Sequence, residues 1–546
     1  MAASGKVLYS VDEGIHRSPL QPVTFPTEPC LSLITFLFRN IASYPDRLAI
    51  ADADSGESLT FAQLFSAIRS TSAGLSRLGI QKGTVVLICA PNSIHFAVSF
   101  FAIIAAGAVA TTVNPLYTAS ELSKQAIDSG SKVVITVTSL WDKVKFLRLP
   151  TVFIGPKAAP SVAADSKVPI LYLSDLMSVP EAEYSPPVVH QSDICTLLYS
   201  SGTTGTSKGV MLSHRNFICT SLMATHDQDL RRHPQNICLC VLPMFHVFGL
   251  SVITYAQLQR GNSLVVMGRF EMDLVLRSIE KYRVTYFFVV PPIMITLAKQ
   301  GRVVRYDLSS LKYLASGAAP LGKDLMEEVA KNYPEKMVLQ GYGLTEACGF
   351  ISIEYPEKSV GKFGSVGFLA VGIDGKVLNV DTQEPLPPNQ LGELCFRGPN
   401  IMQGYFNNPQ ATELTLDKEG WLHTGDLGYF DENGQIFVVD RIKELIKYKG
   451  LQVAPAELEG LLLSHPDIVD AVVIPFPDDE AGEIPIGYVV RSPNSSITED
   501  EVLKFIANQV APYKKLRRVT FVNSVPKSPS GKILRRELIQ KAKSNL

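Results

Sequence analysis

Between Leu197 and Val210 the chain reads LLYSSGTTGTSKGV. Small hydroxyl residues, glycines and one lysine share a single short loop. Backbone N–H groups freed by glycine converge on an anion, Ser and Thr hydroxyls add donors, and Lys208 adds positive charge. Ser200, Ser201, Gly202, Thr203, Thr204, Gly205, Thr206 and Lys208 therefore describe a cradle for a polyphosphate. It is not a Walker loop, because Lys208 is followed by Gly rather than Ser or Thr. Gly205 to Gly209 also satisfies G-x-S-x-G, the hydrolase elbow. That motif needs one Ser on a strand-to-helix turn, not a loop crowded with hydroxyls just upstream.

Other stretches carry reactive side chains. In QGYGLTEA, Gln340, Gly341, Tyr342 and Gly343 let backbone and an aromatic face pass close to a ligand, and Thr345 and Glu346 follow directly. Asp426, in TGDLG, has a short carboxylate in a Gly-flanked turn. An Asx-turn explains such an Asp by itself; Arg441, fifteen residues on, strengthens the case for a site. Lys532 sits in SPSGKILRR, a flexible loop able to carry a point charge to a reacting centre. His246, in PMFHVFGL, is explained as readily by a satisfied core histidine as by chemistry.

The elements that must position these residues follow from pattern. A chain of 546 residues is too long for one core. Its hydrophobic content of 46% and charged content of 19% fit large buried cores. With 51 basic against 52 acidic residues, it lacks the basic excess of a nucleic-acid binder. The eight cysteines form no C-x-x-C pair, so they read as small buried side chains in a reducing compartment. The first residues have no apolar signal core. The apolar run Ala97 to Val113 falls short of the roughly 20 residues of a membrane span, and reads as a buried helix against a sheet.

Short β-branched runs such as GTVVLICA, KVVITV, NICLCVLP, VTYFFVV and YLASG alternate with helical spacing, as in FAQLFSAIRSTSAGLSRLGI. This predicts an α/β body with parallel sheets covered on both faces. After about residue 360, short strands and turn signals predict a small antiparallel or barrel-like unit. From about Leu445 a compact α+β lobe begins, with a Thr498-x-x-Glu501 capping box. The expected division is 1–440 as the large body, with its barrel-like part at 360–440, a hinge at 441–450, and a mobile lobe at 451–546.

YSSGTTGTSKGV resembles the phosphate loop of the adenylate-forming superfamily: acyl-CoA synthetases, peptide-synthetase adenylation domains and beetle luciferases. LPMFHVFGL, SGAAPL, QGYGLTEA, WLHTGDLGYFD, VDRIKELIKYKGLQVAPAELE and PKSPSGKILRR agree in order. The resemblance spans nearly the whole chain, and is greatest to plant 4-coumarate–CoA ligases and their ligase-like relatives. It implies activation of a carboxylic acid by ATP to acyl-AMP, then transfer to CoA. By resemblance, the loop up to Lys208 holds the β- and γ-phosphates, Thr345 bonds the α-phosphate and Glu346 ligates Mg²⁺. Gly317, Ala318, Ala319 and the Gln340–Gly343 stretch line the nucleotide, with Tyr342 against adenine. Asp426 and Arg441 grip the ribose, and Lys532 is the adenylation lysine. Lys443 is the hinge, after whose rotation Lys447, Lys449, Gly450 and Gln452 serve the thioester step.

The acyl pocket implied by resemblance comprises His246, Val247, Phe248, Val252, Ala318 and Gly341. Here the chain departs from 4-coumarate ligases, whose segment reads like His-Ile-Tyr-Ser-Leu-x-Ser. Phe248 and Val252 stand at the polar positions, and desolvating a phenol without a partner costs about 1–3 kcal/mol. The expected acid is apolar: a fatty acid, an oxylipin precursor or an unhydroxylated cinnamate-type acid. Alternatives are a hydroxycinnamate ligase, a luciferase-type oxygenase and an idle acyl-adenylate binder. The terminal Ser544-Asn545-Leu546 resembles a peroxisomal address read by an import receptor, with the cytoplasm as alternative. A monomer or weak dimer is expected.

Overall fold

Strands form where β-branched and aromatic residues run together, and they assemble as the alternation requires. The computed structural model describes residues 8–157, 168–200, 207–231, 235–299, 305–319, 321–355, 363–449, 451–478, 480–493, 495–528 and 533–544. Among the described residues, the strands make sheets of seven, nine, six and five strands.

The seven-stranded sheet is parallel from Ile170–Tyr172 across to Ile194–Ser200. The antiparallel strand Lys208–Ser213 closes that edge. The nine-stranded sheet has a parallel centre, in which Ile237–Cys240, Tyr286–Val289, Tyr313–Ser316 and Met337–Tyr342 lie side by side. Their residues are buried in near-continuous runs, as strands covered on both faces demand.

The apolar run around Ala97 is not one helix. Ile94–Ala105 is a helix buried all round, with Ser93 accepting from the Phe96 N–H at its start. The chain then turns at Gly107, which has positive φ, and continues as the buried strand Val109–Thr112. No helix among the described residues is long and apolar enough to cross a membrane.

The unit expected after residue 360 is a six-stranded antiparallel sheet: Tyr9–Ser10, Ile15–Arg17, Asp374–Leu378, Gly392–Arg397, Leu422–Phe430 and Ile436–Arg441. Two of its strands come from the N-terminus. Local pattern could not reveal that pairing, since Arg17 meets Asp374 only through the fold.

Beyond Leu445, Ile468–Asp478 and Gly482–Arg491 form the centre of the five-stranded sheet. Along the first, Ala471 and Val473 enter one core and Val472 and Ile474 the other. That period of two places helices Pro455–Ser464 and Glu499–Ala507 on one face and Arg535–Ser544 on the other. The capping box at Thr498 and Glu501 forms as expected.

Candidate active site

The carboxyl ends of the parallel strands converge. After Ser316 comes Gly317-Ala318, after Tyr342 comes Gly343 to Glu346, and after Cys240 comes the segment to His246. Open α/β sheets bind ligands at such ends. Ala318 has φ +71, left-handed backbone that a residue with a Cβ adopts only at a cost of about 1–3 kcal/mol. Gly343 runs so close to the next turn that a Cβ there stands 2.2 Å from the Gly349 carbonyl oxygen.

Two polar groupings form beside these ends. In the first, the Ser200 hydroxyl donates to Glu346 Oε1 at 2.8 Å and the Tyr405 hydroxyl donates to the same oxygen at 2.9 Å. The buried Lys208 sets its ammonium 4.7 Å from the Tyr405 ring centroid, a cation–π contact. Ser200 pairs directly with Lys208 across the hairpin. This strand–loop–strand geometry is not the strand–turn–helix of a nucleophile elbow. The donors around Glu346 are all oxygens, a chemistry that fits a hard divalent cation such as Mg²⁺.

In the second grouping, the Tyr342 hydroxyl donates to Asp426 Oδ2 at 2.5 Å and Arg441 Nε lies 2.9 Å from Asp426 Oδ1. Asp426 and Arg441 are cross-strand partners. Burial, then the Asp426 charge, pushes the Tyr342 phenol pKa far above its ordinary value, so it stays a donor. Asp426 in turn raises the Arg441 pKa, with smaller contributions from Tyr342, Glu444 and Glu346. Although much of Lys443 is open to solvent, desolvation and then the Arg441 charge lower its pKa.

A small cleft lies alongside, lined by Leu242, Pro243, His246, Phe248, Gly249, Val290 and Ala318. His246 Nδ1 accepts from the Phe248 N–H at 3.4 Å. Phe248 opens a π-helix, Phe248–Tyr255, an irregularity frequent at functional sites. Its ring packs 3.1 Å from where a Cβ on Gly317 would stand, with the Gly341 carbonyl oxygen nearby at 3.7 Å. Val247 and Val252 are buried, each with a methyl against Gly349.

Ser200, Lys208, Gly317, Gly341, Tyr342, Glu346, Asp426 and Arg441 are thus gathered at the strand ends, with Thr345 beside Glu346. Ala319 and Gln340 flank them; the Gln340 amide accepts from Leu321 N–H and donates to the Ser365 carbonyl. Ser201 to Thr206, Gly450, Lys532, Asn545 and Leu546 lie outside the described residues. Lys527 and Ile533, which flank Lys532 in the sequence, form an antiparallel bridge. Lys447 and Gln452 pair in an exposed hairpin, where Lys447 N–H donates to Glu483 and Lys449 N–H to the Ala481 carbonyl. These contacts are within the C-terminal lobe. Tyr405, Glu393 and His423 belong to the site's surroundings and were not marked by motif spacing.

Residues 37–406 match the AMP-binding enzyme family, and residues 457–532 match the AMP-binding enzyme C-terminal domain. A probable CoA ligase of Humulus lupulus is 45% identical over 98% of this chain and 98% of its own. Peroxisomal OPC-8:0-CoA ligase 1 of Arabidopsis thaliana is 44% identical over 96% and 95%. 4-Coumarate-CoA ligase 1 of Narcissus pseudonarcissus is 42% identical over 97% and 96%. The crystal structure of ATP-bound MatB from Rhodopseudomonas palustris superposes with a TM-score of 0.83 at 28% identity, covering 94% of this chain and 99% of that one. The fold and the match together define an adenylate-forming enzyme. The chain belongs to the AMP-binding enzyme family, among the acid–CoA ligases that use ATP and CoA.

Proposed function

We propose that this enzyme joins an apolar carboxylic acid to CoA through an acyl-AMP intermediate. The observation that carries the acid's chemistry is the cleft beside Ala318, whose lining is apolar except for His246. Such a lining suits the apolar chain or ring of a fatty acid, an oxylipin precursor or a cinnamate-type acid, once the cleft widens to admit it with its carboxylate toward His246.

The first step brings a carboxylate to a polyphosphate, so like charges must be offset. Lys208 and the hydroxyl loop from Ser200 to Thr206 take the terminal phosphates; Thr345 takes the α-phosphate. Glu346, which accepts from two hydroxyls, would hold Mg²⁺, and the ion would neutralise phosphate charge. Asp426, oriented by Tyr342 and Arg441, accepts from the ribose hydroxyls. Lys532 supplies charge to the carboxylate and α-phosphate as they react, a transition-state term. Lys443 is the pivot for lobe rotation, and Lys447, Lys449, Gly450 and Gln452 then serve thiol attack.

The 42% relative named a 4-coumarate ligase favours a second reading, a hydroxycinnamate ligase. Measuring kcat/KM over fatty acids, oxylipin precursors, cinnamate and 4-coumarate separates the two. The apolar reading expects 4-coumarate to trail cinnamate and the aliphatic acids; a clear preference for 4-coumarate refutes it. A peroxisomal location is supported by the relative named as peroxisomal, and a fluorescent fusion tests it.

A further inference from the structure

We propose that Glu393 is a positioning residue for Asp426, fixing the bulge that aims the ribose-binding carboxylate. This rests on the role proposed above for Asp426. Strands Gly392–Arg397 and Leu422–Phe430 run antiparallel, with Glu393 opposite Leu427 and Cys395 opposite His423. Between those pairs Leu394 alone faces Thr424, Gly425 and Asp426. The ladder on the other side is also shifted, between Leu427 and Gly428. On that side Asp426 and Leu427 still pair with Arg441 and Asp440, but on the Glu393 side Asp426 stands on a segment that the ladder does not hold. Bulges of this kind re-aim a side chain and end regular pairing.

Side chains replace the missing ladder. Glu393 Oε1 accepts from the Gly425 N–H at 3.0 Å, and Oε2 lies 3.1 Å from His423 Nδ1. One carboxylate thus spans the bulge, holding the residue before its first extra position and the residue next to Asp426. Thr424 adds a second tie: its hydroxyl donates to the Leu394 carbonyl at 2.6 Å and accepts from the Asp426 N–H at 3.0 Å. Gly425 has φ +66, a conformation needing either glycine or restraint. Glu393 and His423 side chains are only 13% and 23% exposed, so their contact is sheltered from competing water. Released from Glu393, the Gly425 peptide is free to turn, and the carboxylate that follows it loses its aim.

The test is AMP binding by calorimetry and steady-state kinetics with ATP varied. The proteins are wild type, Glu393→Ala, Glu393→Gln, Asp426→Ala and the Glu393→Ala/Asp426→Ala double variant. Glu393→Ala is expected to raise the AMP Kd and the KM for ATP about tenfold, with kcat changed far less. Glu393→Gln still accepts from Gly425 and is expected to recover most of that loss. The double variant is expected to bind AMP no more weakly than Asp426→Ala alone, the non-additivity of residues acting as a unit. A folded Glu393→Ala with wild-type AMP affinity, or additive losses in the double variant, overturns the proposal. If Glu393→Ala does not fold, Glu393→Asp carries the test. It keeps the charge but falls short of spanning Gly425 and His423, so unchanged AMP affinity is again fatal. Unchanged AMP binding in Asp426→Ala removes the ribose role itself, and this proposal with it.

Discussion

Tyr405 serves two charged groups at once, donating to Glu346 and facing Lys208 with its ring. Burial, with the Glu346 charge, raises the phenol pKa well above its ordinary value, so the hydroxyl remains a donor across the working pH range. Tyr405→Phe keeps the ring under Lys208 and removes only the bond to the carboxylate. Bonds to charged groups contribute about 1.5–3 kcal/mol. The expected outcome is a fall of about tenfold or more in kcat/KM for ATP, with little change in folding; steady-state kinetics and a melting curve check it, and an unaltered kcat/KM contradicts it. Asp426, Tyr342 and Glu346 were legible in the sequence because each sits in a short Gly-containing motif, and Arg441 because it follows fifteen residues after Asp426 in a segment that resembles the family's. Tyr405 was not, because its partner Glu346 is 59 residues away and nothing local marks the meeting. Glu393 was hidden for the same reason: an alternating strand residue looks alike whether or not it crosses a bulge.

At the scale of elements, the strand Met337–Tyr342 shows how a site segment is held from behind. The Gln340 N–H donates to Glu354 Oε2 at 2.7 Å, and burial pushes the Glu354 carboxyl up to about 8. The native state therefore keeps a proton that the unfolded chain has already lost above its ordinary pKa of 4.5. Stability from this group is greatest at low pH and declines as pH rises from that ordinary value through about 8, levelling off beyond. Glu354→Gln, whose amide oxygen can still accept from Gln340, is expected to remove that decline. Melting temperatures between roughly pH 5 and 9 test it, and equal slopes for both proteins contradict it. The hinge proposed at Lys443 makes a second element-scale prediction: Lys443→Pro restricts the backbone there and is expected to slow thiol transfer from supplied acyl-AMP more than pyrophosphate release. Equal losses in the two half-reactions count against the pivot. The parallel strands were legible as β-branched runs between helices. The π-helix at Phe248–Tyr255 was not, since its apolar sequence fits an ordinary buried helix equally well.

At the scale of the molecule, the C-terminal lobe has its own cores, and its helix Pro455–Ser464 meets the body both at Asp440 and at the helix Lys323–Asn332. The Ala456 N–H, at the start of helix Pro455–Ser464, donates to Asp440 Oδ2 at 2.8 Å, and Arg535 bridges Glu444 and Glu459 at 2.6 and 2.5 Å. Glu459 is fully desolvated and its carboxyl is pushed up to about 7 even beside that guanidinium. Removing one member of such a buried network costs about 3–5 kcal/mol. Arg535→Ala is therefore expected to lower the denaturant midpoint of the lobe markedly, and a midpoint unchanged from wild type contradicts that. Composition and strand spacing pointed to a lobe beginning near Leu445, because the texture of the chain changes there. The way that lobe docks depends on non-local pairs such as Arg535 with Glu444, which sequence spacing does not announce.

The central claim is that a lysine carried by this lobe activates an acid on a nucleotide seated in the body. Measuring both half-reactions of Lys532→Ala tests it most directly. Acid-dependent pyrophosphate–ATP exchange is expected to collapse, while supplied acyl-AMP is still converted by CoA to acyl-CoA at close to the wild-type rate. Exchange persisting at the wild-type rate would contradict it.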